Sequence, residues 1–439
     1  MGKGECFIIK SLMILVLCYY VTKLGMHEIR ELPFTMELLA PAGNLEKLKY
    51  AVAYGADAVY FGMEFGSLRS YAGNFTLADA ETGLAFLHEH GKKGYVTLNI
   101  YPYSDELSKL VDIAAQLDAL GVEAFIVSDL GVLSALKKYS LKAALHISTQ
   151  ANTTNYQAAL AYKALGASRV NLARELSLEQ LETILSHTAG QIETEVFVHG
   201  AVCFSYSGRC AISDYLTGQK ANRGECKHPC RWKYAVMEET RPGRYLPVGE
   251  DQRGLYLFNS SDLALFEYIP MLKNLGVDAV KIEGRMKSIH YIATAVSFYR
   301  QVLDGRIFSR EEGFTRLQRA AHRGFSTGFI KGHVDDSDYQ RQRSVSSGQS
   351  TIVGNIDETS INGRNVIEVR NTIHAGEELE VLNTDGCLSR LTMPRPMVTT
   401  TGEMVERANH SQLILLDQAL TPYTILRRVQ EQTDGQINE

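Results

Sequence analysis

Apolar residues along this chain fall into two alternating patterns. Short, mostly apolar runs occupy 37–40, 57–62, 93–99, 123–128, 144–149, 169–174, 193–199 and 278–283. Each has the length and composition of a parallel strand buried on both faces. Between most of them lie stretches with apolar residues three and four apart, the spacing of an amphipathic helix, at 44–55, 107–121, 155–166 and 177–187. Ser177, followed by Glu179 and Gln180, reads as a capped helix start. A short phrase recurs as YGADAVYFG, LGVEAFIVSD, LGASRVNLAR and LGVDAVKIEG. Its glycines, Gly55, Gly121, Gly166 and Gly276, suit the left-handed position that closes a helix before the next strand. Eight such βα units predict a closed (β/α)8 barrel, with an open doubly wound sheet as the alternative. The first strand runs into APAGNLEK, which is not the glycine-rich dinucleotide fingerprint expected of many open sheets.

Barrel active sites assemble at the C-terminal ends of the strands. Those ends carry Asn99, Asp129, Gln150, Asn152, Arg174, Glu175, His199, Glu283 and Arg285. One such residue alone reads as a cap or loop anchor; the set reads as the rim of a site. The segment 288–305 predicts the closing helix, so the barrel is expected over 36–305. A basic connector follows at 306–346, expected to be helical through 317–333. From 347 to 430 the pattern changes to STIVGNIDE, GRNVIEVRN, GEELEVLNTDG and SQLILLDQAL, short alternating strands with turn residues between them. INGRN at 361–365 and NTDG at 383–386 are hairpin signals. This predicts a small all-β domain, a barrel or sandwich.

Composition changes this picture little. The chain has 439 residues, a net charge of −5, 45% hydrophobic and 22% charged residues, which is ordinary for a globular protein. The net charge excludes a uniformly basic nucleic-acid binder and leaves room for local basic patches. The apolar stretch at 7–21 has three readings: residues upstream of a translation start at Met26 or Met36, a membrane anchor, or a secretion signal. Lys10 interrupts it, it falls short of a span, and no small-residue cleavage site follows. Residues 1–35 are therefore set aside as an extension, and no stable membrane association is expected.

Cysteine usage changes the picture most. Of seven cysteines, Cys6, Cys18 and Cys387 stand apart, while Cys203, Cys210, Cys226 and Cys230 lie within 28 residues as C-x6-C-x15-C-x3-C. The first of them follows His199 at the end of the seventh predicted strand, which puts the thiols at the barrel mouth. Structural zinc, an iron–sulfur cluster and two disulfides all remain open. Zinc sites favour tighter pairs, a cluster tolerates looser spacing, and disulfides need an oxidising compartment. Arg209, Lys220, Arg223, Lys227, Arg231 and Lys233 face only Asp214 and Glu225, a local charge of +4. Such cations would offset an anionic centre or hold phosphate, or form an ordinary solvated loop. Trp232, the one tryptophan, would cover the centre from water.

EVFVHGAVCFSYSGRCAIS at 195–213 resembles the signature of peptidase family U32, the collagenase-like proteins. ELLAPAGNLEKLKYAVAYGADAVYFG, STQANTTN, RELSLEQL and KIEGRMKS are similar to further blocks of that family. The resemblance covers about 36–430, and CFSYSGRC with GECKHPCRWKY is most similar to its tRNA-hydroxylating branch. It implies a cytoplasmic, oxygen-independent hydroxylase that forms 5-hydroxyuridine at the wobble position of tRNA, with prephenate as hydroxyl donor. It also implies that Cys203, Cys210, Cys226 and Cys230 hold a [4Fe–4S] cluster supplied by iron–sulfur assembly machinery. Under that reading Arg174, Lys281 and Arg285 are candidates for the prephenate carboxylates, and His199 for an acid/base. RNA phosphates would meet Arg209, Arg223, Lys227 and Arg231, with a second patch at Arg316, Arg319, Arg323 and Lys331. The rivals are a peptidase and a zinc-stabilised RNA-binding protein without catalysis. Against the peptidase, the sequence carries no HExxH helix and no evident Ser/His/Asp arrangement.

Overall fold

The computed structural model describes residues 35–68, 73–139, 141–203, 205–231, 249–251, 254–256, 261–332 and 348–429. The expectations for the apolar stretch at 7–21, for Cys6 and Cys18, for Trp232 and Lys233, and for the Arg231 side chain lie outside the described residues.

All eight expected strands form. They are β1 (Glu37–Pro41), β2 (Ala58–Gly62), β3 (Lys93–Leu98), β4 (Ala124–Val127), β5 (Ala144–Ile147), β6 (Arg169–Asn171), β7 (Glu193–Ala201) and, later in the chain, β9 (Ala279–Ile282). Each pairs in parallel with the next, and β9 pairs in parallel with both β7 and β1, which closes the barrel. Helices α1 (Leu45–Ala53), α2 (Leu77–Glu89), α3 (Leu107–Ala119), α4 (Leu130–Lys138), α5 (Tyr156–Ala164) and α6 (Leu178–Thr188) fill the crossovers. Their starts are capped as the sequence dictates: Ser177 and Thr76 close capping boxes with Gln180 and Asp79. The four repeated glycines take φ of +98°, +85°, +104° and +85°, the left-handed region that ends a helix without a Cβ penalty.

After β7 the chain departs from the simple repeat. The cysteine segment, with its short helix α7 (Ile212–Thr217), is inserted there. A strand β8 (Asp262–Ala264) then returns antiparallel against the last residues of β7, and α8 (Ile269–Asn274) leads into β9. The closing helix α9 (Ile289–Leu303) is buried along almost its whole length. Among its described residues the connector is α-helical only as α10 (Arg310–Leu317). The expected helix through 317–333 does not form. Instead Phe325–Ser326 pairs beside β8, and a 3-10 turn spans Gly328–Lys331. Gly324, Gly328 and Gly332 all have positive φ, which breaks any helix there.

The C-terminal domain is an antiparallel sheet of eight strands, from Ser350–Ile361 to Ile425–Val429. Both hairpin signals hold: Asn362 and Gly363 turn at φ +51° and +77°, and the NTDG turn joins Glu378–Leu382 to Leu388–Thr392. This domain packs on α1 and α9. Leu382 and Ile425 belong to the same apolar core as the barrel, and the Tyr54 hydroxyl donates to the backbone carbonyls of Leu382 and Tyr423 at 2.9 and 3.1 Å.

Candidate active site

The barrel interior is not uniformly apolar. Beside a small apolar cluster that includes Leu39, Ala58 and Ile126, a chain of buried charges crosses the barrel. Glu37 on β1 accepts from Arg169 on β6 at 2.6 Å and from the Tyr95 hydroxyl at 2.9 Å. Arg169 also lies 3.5 Å from Glu195 on β7, and Glu195 accepts from Lys281 on β9 at 2.8 Å and from Asn171 at 2.6 Å. Charges this deep persist only when paired. Burial pushes the Glu37 carboxyl up, but Arg169 and Lys93 overcome it and hold the group below the usual range. For Lys281 burial wins over the pull of Glu195, and its ammonium loses its proton more readily than a free lysine. The sequence reading missed this network, except that Glu195 opens the U32-like signature.

Above the network, at the C-terminal ends of the strands, a cavity is lined by Tyr60, Asn99, Gln150, Asn171, Arg174, Lys281, Glu283 and Arg285 among others. The three cations expected at the mouth are therefore brought together, but they are not equivalent. Lys281 is engaged by Glu195. Arg285 donates to the Thr97 hydroxyl at 3.2 Å and to the Leu68 carbonyl. The Arg174 guanidinium carbon lies 3.9 Å from the centroid of the Phe197 ring, and Nη1 donates to the Ala201 carbonyl at 2.8 Å. The Arg174 Nε is buried without a hydrogen-bond partner among the described residues, a donor available to a bound acceptor.

Arg174, Gln150 and Leu68 also line a second cavity next to the first. Its wall carries all four clustered cysteines, with Glu175, Tyr206 and His228. Three anchors fix this loop to the barrel. Ser207 donates its backbone N–H to Glu175 at 2.8 Å. Arg223 forms an ion pair with Glu106, and Tyr101 donates its backbone N–H to Asn222 at 3.3 Å. Gly208, at φ +75°, packs so closely that a Cβ there would sit 2.0 Å from the Gln150 carbonyl oxygen. None of the four thiols is in a disulfide among the described residues, and the His228 backbone N–H points at the Cys226 sulfur at 3.4 Å. Among the described residues no three His, Cys, Asp or Glu side chains converge on one ion-sized point. Four soft thiols around a cavity are nevertheless the donor set that would hold a metal–sulfur group, and an N–H directed at sulfur is a contact of the kind that tunes such a group.

Other expected residues fall elsewhere. His199 is not at the mouth. A bulge in the β7–β9 pairing, where Lys281 faces Phe197 but Ile282 faces His199, turns this side chain out of the barrel. It is 2% exposed, among the rings of Tyr291, Tyr299 and Phe325. Burial pulls its pKa down to about 3. It lines neither cavity, so the expected acid/base role is withdrawn. Asp129 caps α4, and Asn152 closes a 3-10 turn at φ +54°. Arg209 and Lys227 are exposed on the cysteine loop, whereas Arg223 is half-buried on Glu106. The second basic patch is overturned. Arg323 is 4% exposed and donates to Asp262 at 3.1 Å through Nε. Arg319 lies 3.5 Å from Glu380 at the junction with the β-domain, and Arg316 is held beside the Gly386 carbonyl. Only Lys331 of that group is exposed.

A closed βα barrel with a thiol-lined cavity at its catalytic end, followed by a small β-domain, defines a class of barrel enzyme. The chain belongs to peptidase family U32: residues 43–340 match that family, and 349–427 match the U32 C-terminal domain. It is 34% identical over 399 residues to tRNA hydroxylation protein P of Escherichia coli, covering 80% of this chain and 87% of that protein. It is 34% identical over 408 residues to tRNA hydroxylation protein P1 of Bacillus subtilis, covering 89% and 94%. A collagenase of Porphyromonas gingivalis is 30% identical over 309 residues, covering 68% and 73%. Among the described residues, no helix is long and apolar enough to cross a membrane.

Proposed function

We propose that this protein hydroxylates tRNA, forming 5-hydroxyuridine at the wobble position with prephenate as the hydroxyl donor. The observation that carries the reading is the pairing of two adjoining cavities at the barrel mouth. One is lined by cations suited to a small carboxylate, the other by four cysteines. The relatives named for tRNA hydroxylation support it by matching across most of the chain. Cys203, Cys210, Cys226 and Cys230 would hold a [4Fe–4S] cluster. Thiols spread around a cavity suit a polynuclear centre better than a single zinc ion, which draws its sulfurs to about 2.3 Å. The cluster would supply electron transfer or electrostatic shaping of the site.

This chain's own residues have distinct tasks in that scheme. Arg174, with its unsatisfied Nε, takes a donor carboxylate. Phe197, whose ring centroid is 3.9 Å from the guanidinium carbon, adds a cation–π contact that holds this side chain in place. Lys281, balanced by Glu195, and Arg285 add positive potential without being free to move. Asn171 and Gln150 offer neutral polar groups on the same wall. The experiment is an anaerobic reaction of the purified protein with prephenate and tRNA lacking the modification. Formation of 5-hydroxyuridine is expected, with an Arg174→Gln variant needing about tenfold more prephenate or beyond, the value of a charged hydrogen bond. Absence of product from a brown, iron-loaded preparation would end the proposal.

The P. gingivalis relative motivates a second reading, peptide hydrolysis at the cysteine-lined cavity. Release of peptides from gelatin by the purified chain, lost in the Cys203→Ala variant, is the result that would favour it.

A further inference from the structure

The cysteine segment exposes aromatic surface that the fold does not use. Tyr206 is 61% and Tyr215 88% exposed. Neither side chain has a hydrogen-bond or ring partner among the described residues. Tyr206 nevertheless lines the cavity that holds the four cysteines, so its ring stands at the lip of the site. Tyr215 projects from α7, which is tied to the last cysteine turn by the Lys227 backbone N–H on the Ser213 hydroxyl at 3.2 Å. The same segment carries exposed cations. Arg209, three residues after Tyr206, is exposed and makes no ion pair among the described residues. Lys220 is exposed, with its ammonium 2.8 Å from the hydroxyl of Tyr103, itself 54% exposed.

Exposed tyrosines on an apolar-poor, cationic loop have no packing rationale. They are the surface that unpaired bases stack on, with nearby cations holding the phosphates. A double helix hides its base faces and offers only phosphate to such a loop. We propose that Tyr206 and Tyr215 stack the unpaired bases of a single-stranded RNA loop, with Arg209 and Lys220 on its backbone, so that a base is delivered over the lip of the cysteine-lined cavity. This rests on the tRNA reading and specifies how that substrate is held.

The test is fluorescence anisotropy with the iron-loaded full chain. The probes are a labelled RNA hairpin with an unpaired loop and a blunt RNA duplex of the same length. The hairpin is expected to bind more tightly. Tyr206→Ala should weaken hairpin binding about tenfold, Tyr206→Phe should stay within about twofold of the parent, and duplex binding should not change. Arg209→Gln should lower the salt slope by about one unit. Visible absorption of the cluster should be the same in every variant. Equal hairpin affinity in the parent and Tyr206→Ala would overturn the stacking surface alone, leaving the tRNA reading intact. Equal losses in the Ala and Phe variants would replace stacking by a hydroxyl hydrogen bond and also overturn it. A parent that binds neither probe would remove the tRNA reading and the stacking surface together.

Discussion

Burial sorts residues that look alike in the sequence. Arg174 and Arg323 are both arginines in an expected site, yet one keeps a free donor at the barrel mouth and the other is locked on Asp262. Nothing local announces the difference, because the partner of Arg323 lies 61 positions away. His199 is the sharper case. It stands in the U32-like signature beside the cysteines, but one bulge turns it into an aromatic pocket. Its pKa of about 3 makes it neutral throughout the physiological range. In the unfolded chain a histidine titrates near about 6.5. Between those values the unfolded state binds a proton that the folded state refuses, so stability is present above about pH 6.5 and is lost as pH falls. His290, also pulled down to about 3, acts in the same sense. Each contributes up to about 1.4 kcal/mol per pH unit in that window. His199→Gln should therefore flatten the fall in stability between about pH 6 and 4, measured by urea unfolding at a series of pH values. A slope as steep as the parent's would mean that His199 is protonated in the folded state.

At the scale of elements, what was legible followed from burial on two faces. Parallel strands covered by helices must be apolar runs, and helices closing on glycine precede them, so eight strands and most helices could be read directly. The buried charges Glu37, Arg169 and Glu195 were not legible, since they lie on three different strands and meet only when the barrel closes. β8 was hidden because it is three residues long and antiparallel. The cysteine loop was legible as a cluster but not as a clamped element. Beside its anchors, Gly208 packs against the Gln150 carbonyl with no room for a side chain. A Gly208→Ala substitution meets both a left-handed φ and a backbone oxygen, and strain of about 1–3 kcal/mol is expected at such a position. The loop should lift from the barrel, with iron content falling well below the parent's while far-UV circular dichroism stays unchanged. Full iron loading in that variant would show that the proposed cluster does not need the loop held against Gln150.

The whole molecule places chemistry and support at different faces. The cavities open where the strands end, and the β-domain docks on α1 and α9. There Arg427, 1% exposed, donates through Nε to Glu380 at 2.8 Å and reaches His290 and Thr294 at 3.3 Å. Of the second basic patch expected from the sequence, Arg319 and Arg316 belong to this junction, while Arg323 pairs with Asp262 on β8. The account therefore stands on one claim, that the thiol-lined barrel mouth modifies tRNA. The most direct measurement is mass spectrometry of tRNA nucleosides from cells lacking the protein, and from the same cells carrying either the parent chain or Cys226→Ala. The account predicts that 5-hydroxyuridine and its derivatives disappear on deletion, return with the parent and stay absent with the cysteine variant. Normal levels in the deletion strain, in a background without a second member of the family, would contradict it.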